Sequence, residues 1–224
     1  MTLFAKGLSL KYGNDLIFKN LSFSCEDGDI LAIKGDNGCG KTSLCLCLCN
    51  LLNSDAENVK YKGQVLIDDK DIKNMSVLER TQNIGIVFQN PDNQLFSPLV
   101  IEELAFAPEN MGTKREEIIS RIDFAMNACD IVGLRNSKTN ALSGGEKQLV
   151  AIASVLTQKP KILVVDEITA RIDIDKKDLV RHILSEHAKN GGIVIMVSHS
   201  AKDLEIATKT IELVRGKDYG NISQ

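Results

Sequence analysis

A short unbroken apolar run, Ile30-Leu31-Ala32-Ile33, leads directly into Gly35-Asp36-Asn37-Gly38-Cys39-Gly40-Lys41-Thr42, with an apolar helical stretch behind it. Few local sequences restrict a fold so tightly. Four consecutive apolar residues suit a strand covered on both faces, which is the situation of a parallel sheet flanked by other layers. The three glycines let the backbone fold tightly enough for successive N–H groups to point inward, and a helix beginning near Lys41 adds its positive end. Such a loop is built to hold phosphate. Lys41 would reach the outer phosphates, and the Thr42 hydroxyl would bind Mg²⁺.

Three more runs have the same buried character: Ile84-Gly85-Ile86-Val87-Phe88, Ile162-Leu163-Val164-Val165 and Ile193-Val194-Ile195-Met196-Val197. Helical patterns separate them, so the expectation is an α/β fold with a mostly parallel sheet covered by helices. The N-terminal segments 3–10 and 21–25 alternate apolar with polar residues and are broken by Gly13-Asn14-Asp15 and Glu26-Asp27-Gly28-Asp29. They read as antiparallel strands. Between Gln89 and Pro160 the pattern turns helical: Thr113-Lys114-Arg115-Glu116 reads as a capping box, with Ile118, Ile122, Ala125 or Met126, Cys129 and Val132 at helical spacing behind it. With no Pro/Gly/Ser-rich linker, residues 1–224 are expected to form one domain. Its core is residues 1–88 and 161–224, with an inserted α-helical subdomain at 89–160.

Composition narrows the function. The 224 residues carry 27 basic and 30 acidic side chains, so the net charge of −3 gives no support to a duplex-binding role. No run approaches the roughly 18 apolar residues a membrane helix needs, and Met1-Thr2-Leu3-Phe4-Ala5-Lys6 lacks the layout of a signal peptide. A chain of this kind is expected in the cytosol, meeting a membrane through a partner. Of the six cysteines, Cys45, Cys47 and Cys49 fall in the helix after the glycine loop, where only Cys45 and Cys49 share a face; small buried apolar side chains are the simplest reading. Cys39, inside the loop, would block nucleotide entry if alkylated.

Two further motifs carry chemistry. Asp166, at the end of a buried strand, suits a carboxylate held near Mg²⁺, and Glu167 beside it suits a general base that activates or orients the attacking water. Leu142-Ser143-Gly144-Gly145-Glu146 opens a helix through Leu149-Val150-Ala151-Ile152-Ala153. Ser143 could simply cap that helix. The same hydroxyl, glycine N–H groups and helix dipole could instead face a phosphate, and one chain offers only one outer-phosphate position, already served by Lys41. A second anion site therefore makes most sense acting on a partner's nucleotide.

These motifs, in this order, resemble the nucleotide-binding subunits of the ABC transporter superfamily over nearly the whole chain. The resemblance implies a P-loop NTPase (RecA-like) fold and Mg²⁺-dependent ATP hydrolysis by a head-to-tail dimer. It implies nucleotide binding by Tyr12, stacked on adenine, and by Gly35, Asp36, Asn37, Gly38, Cys39, Gly40, Lys41, Thr42 and Ser43. Gln89 would form the Q-loop and join Thr42 and Asp166 around Mg²⁺; Glu167, Gln89 and His199, the switch histidine, would be catalytic. Ser143, Gly144, Gly145 and Glu146 would act on the partner's nucleotide, and Asp173 would lie in the D-loop.

Val87-Phe88-Gln89-Asn90-Pro91-Asp92-Asn93-Gln94-Leu95-Phe96 and Glu102-Glu103-Leu104-Ala105-Phe106 are similar, more narrowly, to ATPases of energy-coupling factor transporters. Those import vitamins or transition-metal ions such as cobalt and nickel. This implies a second ATPase subunit, identical or not, and an integral membrane coupling protein docking between Gln89 and Phe106, with the chain peripheral on the cytoplasmic side of the membrane. Ile168-Thr169-Ala170-Arg171-Ile172-Asp173 stands where a Pro-Thr-Ala-Gly-Leu-Asp type sequence is usual. The competing classes are a soluble ATPase of the superfamily acting on nucleic acid or ribosomes, and a nucleotide-binding regulator without turnover. The first usually has coiled-coil insertions or zinc modules and is disfavoured by the acidic balance; the second conflicts with Glu167 and His199.

Overall fold

The computed structural model describes residues 1–52 and 58–220. β1 (Thr2–Tyr12) and β2 (Asp15–Glu26) pair antiparallel across the turn at Gly13, as the alternating pattern predicts. The alternation changes phase at Gly7: Leu3 and Ala5 are buried before it, Leu8 and Leu10 after it. Gly7 has φ 60° and lies in the register break, so the strand absorbs the phase change as a bulge.

β3 (Ile30–Lys34) opens a second sheet, and α1 (Lys41–Leu48) follows the glycine loop. β4 (Val59–Ile67) and β5 (Lys70–Asp71) return to the first sheet; α2 (Val77–Asn83) then leads into β6 (Ile84–Val87) of the second. Three helices follow, α3 (Val100–Asn110), α4 (Arg115–Ala128) and α5 (Gly144–Leu156), before the chain re-enters the sheet at β7 (Ile162–Asp166). The remainder runs through α6 (Ile174–Lys189), β8 (Ile193–Val197), α7 (Ala201–Glu205), β9 (Lys209–Glu212) and β10 (Lys217–Asp218).

The second sheet has the order β6-β7-β8-β3-β9 and is parallel throughout. The first, β10-β2-β1-β4-β5, is antiparallel except where β10 joins β2. This is the expected α/β architecture. The continuous apolar runs divide by parity between two cores. Leu163, Val165, Val194 and Met196 face the helices α3 to α6, whereas Ile162, Val164, Ile193, Ile195 and Val197 face the first sheet. Every β7 and β8 residue is buried, which is why these strands show no alternation.

α1 packs in the core between the two sheets. Cys45, Cys47 and Cys49 are therefore all buried although only two share a face, because the helix is covered on several sides. Burial pushes the Cys47 thiol up to about 12, and that of Cys45 well above its ordinary value, so both stay protonated and behave as small apolar groups.

Two local expectations are corrected. α4 begins one residue later than the Thr113 box requires: Lys114 is its N-cap, and no side chain caps it. Ile118, Ile122, Ala125, Met126 and Cys129 form the buried stripe as expected, but Val132 lies beyond the helix in a 3₁₀ turn and is 53% exposed. Asp130, at φ 53°, turns the chain off the helical path before Val132 can continue the stripe.

Candidate active site

Four neighbouring strands of the parallel sheet end at one edge, and each delivers a piece of the site. β6 is followed by Gln89, β7 ends in Asp166 with Glu167 next, β8 is followed by His199, and β3 runs into the glycine loop. The crevice beyond the carboxyl ends of parallel strands is where ligands bind in sheets of this kind.

The loop closes tightly around its own lysine. Lys41 is 6% exposed, and its Nζ donates to the carbonyls of Gly35 at 2.8 Å and Asp36 at 3.1 Å. Gly40 is the N-cap of α1 at φ 107°, and a Cβ there would come within 2.2 Å of Ile17 Cγ2, so a larger residue would push the loop off β2. No side chain caps α1 and its first turn holds no acid, which leaves its N–H groups free to face an anion.

Glu167 is the hub of the arrangement. It has φ 49° and ψ 35°, a left-handed conformation uncommon for a non-glycine residue, and its N–H donates to Val197 O at 3.1 Å. Gln89 Nε2 donates to its Oε2 at 2.9 Å; His199 Nε2 lies 3.2 Å and Lys41 Nζ 3.6 Å from its Oε1. Beside it, Thr42 Oγ1 donates to Asp166 Oδ2 at 2.6 Å. This pair supplies hard oxygen donors next to the glycine loop, the chemistry that Mg²⁺ prefers.

A cavity of about 470 Å³ opens beside this cluster, and neither Asp166 nor His199 lines it. Tyr12, Asn37, Gly38, Gly40, Lys41, Thr42, Ser43, Gln89 and Glu167 line it. The Tyr12 hydroxyl lies 3.1 Å from Ser43 Oγ at its rim. Gly35 and Asp36 do not line it; their carbonyls accept from Lys41. Cys39 is 3% exposed and packs into the core, which closes its thiol to reagents; the expected block by alkylation lacks an accessible sulfur.

Ser143, Gly144, Gly145 and Glu146 lie outside this cavity. Ser143 caps α5 in a capping box: its hydroxyl accepts from Glu146 N at 3.3 Å and donates to Glu146 Oε2 at 2.8 Å. The hydrogen bonds from the Ser143 backbone and hydroxyl hold the Glu146 carboxyl below its usual range. Asp173 is exposed at the N-cap position of α6 without a capping bond, and it too is absent from the cavity wall.

Three wall residues carry no motif. Asp15 and Ile17 come from the start of β2, and Arg215, beyond β9, donates to Gly38 O and to Asp15 across the cavity. Arg215 is 177 residues from Gly38 in sequence. Nothing short-range marks it.

Burial pushes the Asp166 carboxyl above the ordinary aspartate value; the Thr42 hydrogen bond opposes this and the neighbouring Glu167 charge adds to it. A carboxyl raised in the folded state binds its proton more tightly there than in the unfolded chain. Its contribution to stability therefore falls as pH rises from the ordinary aspartate range through the raised value, and stays unfavourable at neutral pH. Asp166→Asn is expected to raise the unfolding midpoint of the protein at pH 7 by a few degrees. Thermal unfolding at several pH values checks this: the gain should shrink toward acid pH, and a loss of stability at pH 7 would refute it.

A family model described as ABC transporter matches residues 18–170. The chain belongs to the ABC transporter family. Among relatives of this ABC protein is the energy-coupling factor transporter ATP-binding protein EcfA1 of Fusobacterium nucleatum, 36% identical over 214 residues that cover 95% of this chain and 78% of the relative. The energy-coupling factor transporter ATP-binding protein EcfA of Methanosphaera stadtmanae is 36% identical over 88% of this chain and 69% of its own length. The solved structure of cbiO1 from Clostridium perfringens, part of the ABC transporter complex cbiONQ, superposes with a TM-score of 0.79 at 31% identity, covering 95% of this chain and 84% of that one. A dimeric ATP-binding cassette bound to ADP and Pi has the same fold, with a TM-score of 0.82 at 23% identity over 95% and 94% of the two chains. The family member described here is thus an ABC ATPase.

Proposed function

We infer that this ABC protein is the ATP-binding subunit of an energy-coupling factor type importer, hydrolysing ATP as a head-to-tail dimer to move a small substrate such as a vitamin or a transition-metal ion. The observation that carries the reading is the convergence of Gln89, Lys41 and His199 on Glu167 beside the Thr42–Asp166 pair. Residues 1–88 and 161–224 serve as its ATP-binding core and residues 89–160 as its helical subdomain.

The glycine loop and Lys41 hold the phosphates, and Tyr12 covers the base. Thr42 and Asp166, joined by Gln89, would hold Mg²⁺, which would supply positive charge against the phosphates. Glu167 accepts a proton from, or orients, the attacking water; Gln89 and His199 keep its two oxygens aimed. Ser143 and the N–H groups of Gly144 and Gly145 complete the partner's site from the start of α5, and Asp173 stands at the dimer face. Hydrolysis and phosphate release reopen the dimer.

Docking to a membrane partner is supported by a groove of about 520 Å³ whose wall includes Val77, Leu78, Phe96 and Phe106. Val77 and Leu78, on α2, lie outside the segment singled out from sequence. Phe96 and Phe106 are 63% and 46% exposed and pack edge to face, 4.5 Å between centroids. Buried Glu103, on the same helix as Phe106, fixes the Phe96 segment by accepting from Phe96 N and Ser97 N at 3.0 and 2.8 Å. Among the described residues no helix is long and apolar enough to cross a membrane, which suits a peripheral subunit on the cytoplasmic face.

Phe96→Asp combined with Phe106→Asp is expected to leave ATP affinity within about twofold of wild type, because neither residue touches the nucleotide cavity, while an integral membrane protein recovered with the wild-type chain is lost. Affinity purification from membranes reads this directly. If the wild-type chain brings down no membrane protein, or if nucleic acid stimulates its turnover, the transport reading fails.

A further inference from the structure

The catalytic pair proposed above, Glu167 and His199, comes from two different loops, and neither side chain is deeply buried: their exposures are 21% and 46%. Packing alone does not set their relation. The hydrogen bond from Glu167 N to Val197 O joins only the roots of the loops after β7 and β8, so something must hold their outer parts together.

Asp203 on α7 does so. It is 3% exposed, and a single oxygen, Oδ2, accepts from both loops: from Thr169 Oγ1 at 2.8 Å and from Ser198 Oγ at 2.6 Å. Thr169 is two residues after Glu167, and Ser198 directly precedes His199. Ser200 N in turn donates to Ser198 Oγ at 3.0 Å, so His199 lies in a turn whose two flanking residues are tied to each other and to Asp203. The other oxygen, Oδ1, accepts from Arg181 Nε on α6 at 2.7 Å, and Arg181 is itself paired with Asp178. A buried carboxylate with both oxygens occupied by donors is costly to disturb, because any lost partner leaves an unsatisfied buried group.

The geometry points to Asp203 as a positioning residue for ATP hydrolysis, a buried brace that sets the Glu167–His199 geometry through Thr169 and Ser198. It touches neither the cavity wall nor the reacting atoms, and it acts only through the two hydroxyls. The hydroxyl of Thr169 also gives a reason for a hydroxyl residue inside the otherwise unusual segment 168–173. An amide at position 203 cannot serve all three partners in their present roles: with its oxygen toward the hydroxyls its N–H₂ meets the Arg181 donor, and in the reverse orientation its N–H₂ faces two hydroxyls that now donate, so both must turn to accept.

This rests on the reading of Glu167 and His199 given above, and the test separates the two. Steady-state ATP hydrolysis by the full chain with Mg²⁺ is measured for Asp203→Asn, Thr169→Val, Thr169→Ser and Glu167→Gln, together with ATP affinity and thermal unfolding. Asp203→Asn should lower kcat on the order of tenfold, with KM and ATP affinity within about twofold, because a shift of about an ångström in reacting groups is felt in turnover before binding. Thr169→Val should lower kcat in the same direction, and Thr169→Ser, which keeps the hydroxyl, should restore it. The double variant Asp203→Asn/Thr169→Val should be no slower than Asp203→Asn alone, because the Thr169–Asp203 bond is already disturbed in Asp203→Asn.

Wild-type kcat in Asp203→Asn and Thr169→Val, or equal loss in Thr169→Val and Thr169→Ser, or a multiplicative double variant, overturns the brace. If Asp203→Asn does not fold, the Thr169 pair decides by itself. Should Glu167→Gln turn over normally, the site assignment fails instead; an inactive Glu167→Gln beside fully active Asp203→Asn and Thr169→Val condemns the brace alone.

Discussion

Glu167→Gln is expected to slow ATP turnover by about 10²- to 10⁴-fold, the range contributed by a positioned general base, while ATP still binds. The phosphate loop, Thr42 and Asp166, to which nucleotide binding is assigned above, stay intact in this variant. The change falls on the hub. A carboxylate now sits between Lys41 and His199 on one oxygen and Gln89 on the other. An amide brings the same shape with half the acceptors, so it can neither take a proton from water nor hold both sides. On the proposed cycle, in which hydrolysis reopens the dimer, the variant should accumulate a closed ATP-bound dimer. Single-turnover hydrolysis and size-exclusion chromatography with ATP and Mg²⁺ measure both effects; normal turnover would remove Glu167 from the chemistry.

Ser143→Arg should have a comparable effect by a different route. Turnover is expected to fall on the order of 10²-fold or more, as for loss of transition-state donors, with ATP affinity of the isolated subunit unchanged. Ser143 lies outside the cavity that holds Lys41 and stands at the start of α5, so the arginine would fill the space meant for another subunit's phosphate. Losing the cap costs about 1 kcal/mol, too little to unfold the domain. In the structure the Ser143 hydroxyl is engaged by Glu146. In the shared site proposed above, closure of the dimer exchanges that bond for one to phosphate. Nucleotide affinity measured on the monomer decides the matter: if Ser143→Arg cannot bind ATP, the shared-site argument is wrong.

Much of this arrangement was legible along the chain because strand, loop and helix signals are local. The run from Ile30 to Ile33 followed by three glycines announces a buried strand and an anion loop without reference to anything distant. Gln89, Asp166 and His199 were legible for the same reason, since each stands at or just after a buried apolar run. The Thr113 box misled because Lys114 takes the cap position, a choice made by the preceding turn, in which Gly112 N and Thr113 N bond back to α3. Val132 fits a helical spacing that the backbone has already abandoned at Asp130.

By itself the sequence determined the order of elements, the parallel character of the core sheet and the identity of the groups at the strand ends, because apolar periodicity and glycine placement act over a few residues. Tertiary structure alone decided which of those groups meet. Only the strand order β6-β7-β8-β3 sets Gln89, Glu167, His199 and Lys41 side by side. It also brought Arg215 to Gly38, joined Thr169 to Ser198 through one oxygen of Asp203, and turned the Cys39 thiol into the core. Those contacts depend on how layers stack across gaps of up to 177 residues, a distance over which side-chain chemistry leaves no local signal.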